Sequence, residues 1–307
     1  MQAIIARVRF TAYLVLFATL LLWSGNWIVA RAVREDVTPG IATAGRLVIV
    51  IALLAPFCWR GLAAKLRAFR RRDWQVLAAL GFTGGGLHLA FQWLGLHYTT
   101  ATSAVLYLST APIFILLLAR PVLGEAIRTR QWTGVLLSFS GVLTIAAQGE
   151  PGALAALSFN VGDLLALASM AMWGSYTVFL RMRRDALDTP EYLTALCAVG
   201  LGFMVPWVAW EVSGGTRVTL TPAGALGVLY SAVGSLLLAY AGWSYVVTRL
   251  GAARAGATMH LMPAIGVALA ALFLGEYPRW YHFAGIALIL AGVGLSTFRA
   301  SSASSSR

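Results

Sequence analysis

Ten stretches of about twenty residues with almost no charge recur along this chain, and that recurrence limits its fold more than any other feature. They lie at 10–30, 41–59, 74–95, 100–119, 132–148, 162–180, 192–211, 224–247, 253–274 and 281–298. A helix needs about 20 apolar residues to cross the hydrocarbon of a bilayer. Backbone polar groups there must be satisfied within the segment, so runs of this kind form helices. Composition agrees: 59% of the 307 residues are hydrophobic and 11% charged, where soluble domains carry about 25% charged residues. The expected fold class is an all-α membrane protein with ten transmembrane helices, its connections too short for an extramembrane catalytic module. The first run follows Arg7 and Arg9 and is longer than the 7–15 apolar residues of a signal peptide, so it reads as an uncleaved helix.

Orientation follows from the basic residues, which short cytoplasmic loops retain. With the N-terminus inside, 18 of the 23 Lys and Arg fall on the cytoplasmic side, including the cluster Arg67, Arg70, Arg71 and Arg72. Only Arg31, Arg34, Arg217 and Arg279 fall outside, and Arg46 alone lies within a run. The expectation is a multi-pass protein of the cell's inner (plasma) membrane with both termini cytoplasmic. This pattern also accounts for the net charge of +12 without a nucleic-acid partner. Cys58 and Cys197 form neither a disulfide framework nor a metal-ligand spacing, so no metal and no cofactor is expected. The Ser-rich tail 301–307 reads as disordered.

The chain also repeats itself. An offset of 151 residues pairs Pro112 with Pro263, Leu123-Gly124-Glu125 with Leu274-Gly275-Glu276, Gly134 with Gly285, and Gly141-Val142 with Gly292-Val293. An offset of 150 pairs Trp23 with Trp173 and Trp93 with Trp243. The halves, 1–150 and 151–307, hold five spans each. Because five is odd, the second copy enters the membrane from the opposite side, giving two inverted five-helix repeats. Secondary transporters are built this way, with substrate near the midplane between the halves.

On the repeated helix, Leu-Gly-Glu, helix unit, the Trp23-x-x-Asn26 stretch and Arg46, the chain resembles the drug/metabolite transporter superfamily in its ten-helix EamA-type branch. Among characterised members it is most similar to bacterial amino-acid exporters, including one for aromatic amino acids. The resemblance implies a basket of ten helices around a central cavity, with the fourth, fifth, ninth and tenth helices as support or dimer-forming elements. It fits a monomer or a homodimer.

None of the eleven acidic residues falls deep in a run, so the carboxylate relay common in ion-coupled carriers is missing; only His88 or His260 could carry a proton near neutral pH, and uniport is expected. Glu125 and Glu276 sit in paired turns, either favoured by the following helix N-terminus or gating. Of the imidazoles, His88 shares a face with Gln92 one turn away and reads as cavity-lining or structural; His260, the counterpart of Ser109, reads more as structural. Arg46 either pairs with Glu35 or Asp36 or anchors a substrate carboxylate. Trp23 and Trp173 occupy matched positions away from the interface belts, with Asn26 and Tyr176 three residues after them. Together with Tyr107, Tyr240 and Ser244 they make a candidate pocket for apolar or aromatic substrates. The leading reading is a transporter exporting amino acids or related small metabolites by alternating access, with the bilayer as its surroundings. The alternative is a proton-coupled drug or organic-cation exporter. An intramembrane enzyme lacks a nucleophile with its base, and a pore lacks rings of like residues.

The charge pattern makes a prediction about sidedness. Cysteines introduced near Gly152 and Gly214 should react with a membrane-impermeant thiol reagent added outside intact cells, and cysteines near Ala68 and Ala186 should not; the opposite pattern reverses the topology.

Overall fold

The computed structural model describes residues 2–98, 107, 109–150, 152, 160–183, 187–214, 220–274 and 278–297. The expectations for Glu276, for the tail 301–307 and for the start of the fourth span fall outside these residues.

Among the described residues there are ten helical passes. They are α1 (Gln2–Ala32), α2 (Pro39–Arg67), α3 (Arg71–Leu80, Gly81–Leu87, His88–Tyr98), α4 (Ala111–Leu123) and α5 (Thr129–Ala146), then α6 (Val161–Leu180), α7 (Thr189–Ser213), α8 (Pro222–Tyr230, Ser231–Leu238, Ala239–Leu250), α9 (Ala252–Ala257, Thr258–His260, Leu261–Leu274) and α10 (Trp280–Thr297). Five stretches (Phe10–Ala30, Pro39–Arg67, Val161–Leu180, Thr189–Ser213 and Pro222–Leu250) are long and apolar enough by themselves to cross a membrane. Phe57, Trp210, Leu226 and Phe283 point outward from the bundle, an apolar exterior that water would penalise and lipid accepts.

Polar residues mark where helices start. The Asn160 side chain accepts from the Gly162 and Asp163 N–H groups, and the Asp163 carboxylate accepts in return from the Asn160 N–H at 2.8 Å. Asp188 and Glu191 form the same reciprocal box at the head of α7. Such boxes satisfy two of the donors that a helix start leaves free.

The Leu-Gly-Glu turn after α4 works differently from the expected helix-N-terminal carboxylate. Gly124 stands in the left-handed region at φ 66°, which only a residue without Cβ adopts at little cost. The Gly124 N–H then bonds to the Arg120 carbonyl, the 5→1 bond of an αL ending, and the Glu125 N–H reaches back to the Ala119 carbonyl. Helix α5 begins later, at Thr129, and its cap is the Gln131 side chain accepting from the Arg128 N–H. The Glu125 carboxylate lies 4.0 Å from Arg181 on the opposite half instead.

The two halves meet about a pseudo-two-fold axis, and contacts between counterparts reveal it. Helices α5 and α10 pack backbone on backbone. A Cβ placed on Gly134 would stand 2.6 Å from the Gly292 carbonyl, and one on Gly141 would stand 2.5 Å from the Gly285 carbonyl. Since Gly285 and Gly292 are the counterparts of Gly134 and Gly141, each residue touches the partner of the other, which is the reciprocity of a two-fold interface. Small residues let helices approach this closely in a bilayer. Ser109 and His260 are also counterparts that touch, through the His260 Nε2 and the Ser109 carbonyl at 2.7 Å.

Replacing Gly134 or Gly141 by Val should therefore force α5 and α10 apart. The expected outcome is a lower Tm in detergent, whereas Gly202→Val, where an added Cβ meets nothing, should leave Tm unchanged.

Candidate functional site

Helices α3 and α8 occupy corresponding places in the two halves, and each carries a π-helical turn at its middle, Gly81–Leu87 and Ser231–Leu238. Such turns concentrate at functional sites. In α3 the His88 N–H bonds to the Thr83 carbonyl, five residues back, before the α register resumes. That change of register skips the Gly84 carbonyl. Helix α8 does the same: the Ala239 N–H bonds to Gly234 and the Ser235 carbonyl is skipped.

Each skipped carbonyl accepts from an aromatic side chain of the opposite half. The Tyr240 hydroxyl donates to Gly84 O at 2.8 Å, and the Trp23 indole Nε1 donates to Ser235 O at 3.0 Å. These two donors belong to a buried group of rings on the pseudo-two-fold axis. Trp23 and its counterpart Trp173 meet edge to face with centroids 4.9 Å apart. Tyr240 lies 5.3 Å from Trp173, Trp243 lies 5.3 Å from Trp23, and Tyr176 lies 5.1 Å from Trp173. Edge-to-face and tilted pairs of this kind each contribute about 0.5–1.5 kcal/mol beyond burial. The indole of Trp173 breaks the symmetry, donating to the Met259 sulfur at 3.1 Å.

Beside the rings lies a chamber of about 30 Å³ whose walls include Asn26, His88, Gln92, Met170, Met259 and Met262. Ligand pockets usually measure about 300–1,000 Å³, so the middle of the molecule is closed in this conformation. The Asn26 side-chain oxygen accepts from the Ser231 hydroxyl at 2.6 Å. His88 packs its ring on Trp173 at 4.9 Å, and its Nδ1 lies 2.9 Å from the Ser169 hydroxyl, which also bonds the His88 carbonyl. The imidazole thus lines the chamber and braces α3 against α6.

A second cavity of about 410 Å³ opens at the Arg-rich end, between the α2–α3 turn and the α6–α7 connection. Arg70, Arg72, Asp73 and Arg183 give it a charged rim, and Tyr192 lies at its inner wall. The Tyr192 hydroxyl donates to the Tyr176 hydroxyl at 3.0 Å, and Tyr176 packs on Tyr240 at 5.4 Å. Tyr192 therefore stands between this vestibule and the ring group, which it meets at Tyr176. The Arg183 guanidinium sits over the Tyr192 ring at 4.3 Å.

Arg46 departs from the expected ion pair. Glu35 is held by Arg34, and Asp36 accepts from the Thr221 hydroxyl at 2.7 Å. The Arg46 side chain is instead completely buried, its guanidinium 5.1 Å from the centre of the Trp93 ring. Among the described residues none of its three nitrogens has a hydrogen-bond partner. A cation–π contact contributes roughly 0.5–2 kcal/mol, while leaving a guanidinium buried and unpaired costs several kcal/mol.

Of the residues singled out from the sequence, Trp23, Asn26, His88, Gln92, Trp173 and Tyr240 all line the chamber. Tyr176 stands just behind them. Tyr107 lies apart, half-buried and hydrogen-bonded to Asp163. Ser244 is buried on α8 away from the chamber lining, and its carbonyl accepts from Thr248. His260 has both ring nitrogens engaged, with Ser109 and Ser138. The π turns and Tyr192 were missed by sequence reasoning. The run Gly84-Gly85-Gly86 was the available signal for the first turn.

The EamA-like transporter family matches this chain twice, over residues 10–147 and again over 160–298. The chain belongs to the EamA-like transporter family. It is a multi-pass membrane transporter, not an enzyme. An uncharacterized transporter of Archaeoglobus fulgidus is 30% identical over 93% of this chain and 96% of that protein. A probable terminal-alkyne amino-acid exporter of Streptantibioticus cattleyicolor is 30% identical over 75% of each chain. A probable amino-acid metabolite efflux pump of Escherichia coli is 23% identical over 91% and 92%. One solved crystal structure shares the fold, with a TM-score of 0.70 at 21% identity, covering 94% of this chain and 96% of the other.

In this EamA-family chain, Tyr240→Phe keeps the ring and removes only the donor to the skipped Gly84 carbonyl. Leaving that buried acceptor unsatisfied should cost about 1–3 kcal/mol, read as a lowered Tm in nanodiscs. Tyr245→Phe, on the same helix and partly exposed, should leave Tm unchanged.

Proposed function

We propose that this chain exports amino acids with aromatic or other apolar side chains, and related small metabolites, across the inner membrane by alternating access as a uniporter. The observation that carries the reading is the ring group on the pseudo-two-fold axis, where Trp23, Trp173 and Tyr240 offer faces and edges to an apolar side chain beside the polar groups of Asn26 and Gln92. A closed middle with a vestibule at one end is what one state of an alternating-access carrier requires. The names of two relatives, a terminal-alkyne amino-acid exporter and an amino-acid metabolite efflux pump, agree with this substrate class.

Uniport rests on the titratable groups. The buried carboxylates Asp163, Glu191 and Glu211 stand in the first or last turns of α6 and α7. Asp163 and Glu191 belong to caps, and Glu211 accepts from the Gly40 N–H. The chamber wall itself includes no carboxylate among the described residues. An organic cation, the substrate of the alternative reading, would meet the unpaired charge of Arg46 near the chamber with no anion to offset it.

Counterflow into proteoliposomes, with no ion gradient imposed, tests the proposal. Phenylalanine should be taken up faster than threonine, and Trp23→Ala or Trp173→Ala should lower the phenylalanine-to-threonine ratio by roughly 2- to 10-fold, the equivalent of one stacking face. An unchanged ratio in variants that express at wild-type levels removes the aromatic specificity, and a requirement for an imposed proton gradient removes uniport.

A further inference from the structure

Outside the ring group, the buried side-chain polar atoms left without partners among the described residues fall into two sets. Thr38 Oγ1 and Glu211 Oε2 lie at the outer ends of α2 and α7, where Gly40 already bonds Glu211. The second set lies deeper: Thr43 Oγ1, the Nε, Nη1 and Nη2 atoms of Arg46, and Trp93 Nε1. All of these are buried. Thr43 and Arg46 are one turn apart on the same face of α2, and the Arg46 guanidinium lies against the Trp93 ring. Every nitrogen in this set is a donor, the threonine hydroxyl can be one, and no acceptor among the described residues answers them. Buried polar groups are nearly always paired, so a cluster of unanswered donors around a fixed positive charge describes a place for an anion. It borders the chamber: Trp27, a chamber-wall residue, packs against the apolar cluster that contains Trp93.

We infer that Arg46, Trp93 Nε1 and Thr43 Oγ1 form a seat for the carboxylate of the transported solute, with the solute's side chain lying toward Trp23 and Trp173. The planar guanidinium suits a carboxylate because two parallel N–H groups meet its two oxygens. The identity of the anion rests on the amino-acid reading above; the existence of the seat does not. One consequence is selection by charge: the carboxylate supplies the partner that the buried guanidinium lacks, and the corresponding amide or amine does not.

The test uses the full-length protein in nanodiscs and two probes with the same ring, phenylacetate and phenylacetamide. Phenylacetate should raise Tm and phenylacetamide should raise it far less. Arg46→Gln should abolish the difference, and Arg46→Lys, which keeps the charge without the fork, should retain part of it. In counterflow, Arg46→Gln should reduce phenylalanine flux about 10-fold or more, as expected for loss of a charged hydrogen bond, while phenylalaninamide flux changes little. If Arg46→Gln does not fold, Trp93→Phe and Thr43→Val each remove one donor and keep the charge, and each should weaken phenylacetate protection several-fold. Equal protection of wild type and Arg46→Gln by phenylacetate overturns the seat. Protection by chloride equal to that by phenylacetate overturns its assignment to an organic carboxylate. Protection by phenylacetate that depends on Arg46, without transport of any amino acid, upholds the seat and removes the amino-acid reading instead.

Discussion

A carbonyl group that loses its helical partner inside a bilayer has no water to turn to, and this chain creates two such carbonyls at its centre. The π turns of α3 and α8 free Gly84 O and Ser235 O, and the fold answers each with an aromatic donor from the other half. Much of the site follows from this exchange. Tyr240 and Trp23 are fixed by directional bonds as well as by packing, so their rings present constant faces to Trp173 and Trp243. The halves are thereby joined at the axis by hydrogen bonds that cross in both directions. Movement of α3 or α8 that draws a donor away leaves a bare carbonyl behind, so displacement of the helices and rearrangement of the rings are energetically one event.

Symmetry governs the frame and fails where the chemistry is. The seam between α5 and α10, the Ser109–His260 contact and the Trp23–Trp173 pair all join counterparts. Around the chamber the correspondence breaks. The indole of Trp173 finds a methionine sulfur where that of Trp23 finds a backbone carbonyl. At the offset of 150, Arg46 corresponds to Leu196, a buried residue of the apolar core, and Tyr240 corresponds to Ala90. One half therefore brings the buried positive charge and the other brings the phenol. A duplicated scaffold holds the site, while single unmatched residues give it polarity.

The sequence made the frame legible because membrane crossing imposes a length and a composition on every pass, and duplication writes the same small residues twice. Pro112 with Pro263 and Gly134 with Gly285 could be paired by inspection, and the ring group could be anticipated from Trp23 and Trp173. Other features depend on register and on distant partners. A π turn changes which carbonyl is skipped without changing the apolar run, so nothing marked Ser235, and Gly84 was marked only by the run of three glycines that it opens. Arg46 had two acids nearby in the chain, yet Asp36 is taken by Thr221 from the far half and Glu35 by its neighbour Arg34. Glu125 stood within four residues of a helix start, but the backbone of that turn closes the preceding helix and its side chain reaches Arg181. Tyr107 shared the residue type of the chamber walls and is turned to Asp163 instead.

The seam between α5 and α10 has a mechanical meaning. Where side chains separate two helices, a small slide can be absorbed by rotamer changes; here, at two crossings, the carbonyls of Gly285 and Gly292 lie against the bare Cα atoms of Gly141 and Gly134, and at those crossings there are no rotamers to change. Translation by a fraction of a turn brings Ser138 or Ile289 onto the opposing backbone. The pair resists sliding at both crossings and ties one helix of each half to the other. Under the alternating access proposed above, in which the two halves tilt against each other, this seam is the line that yields least.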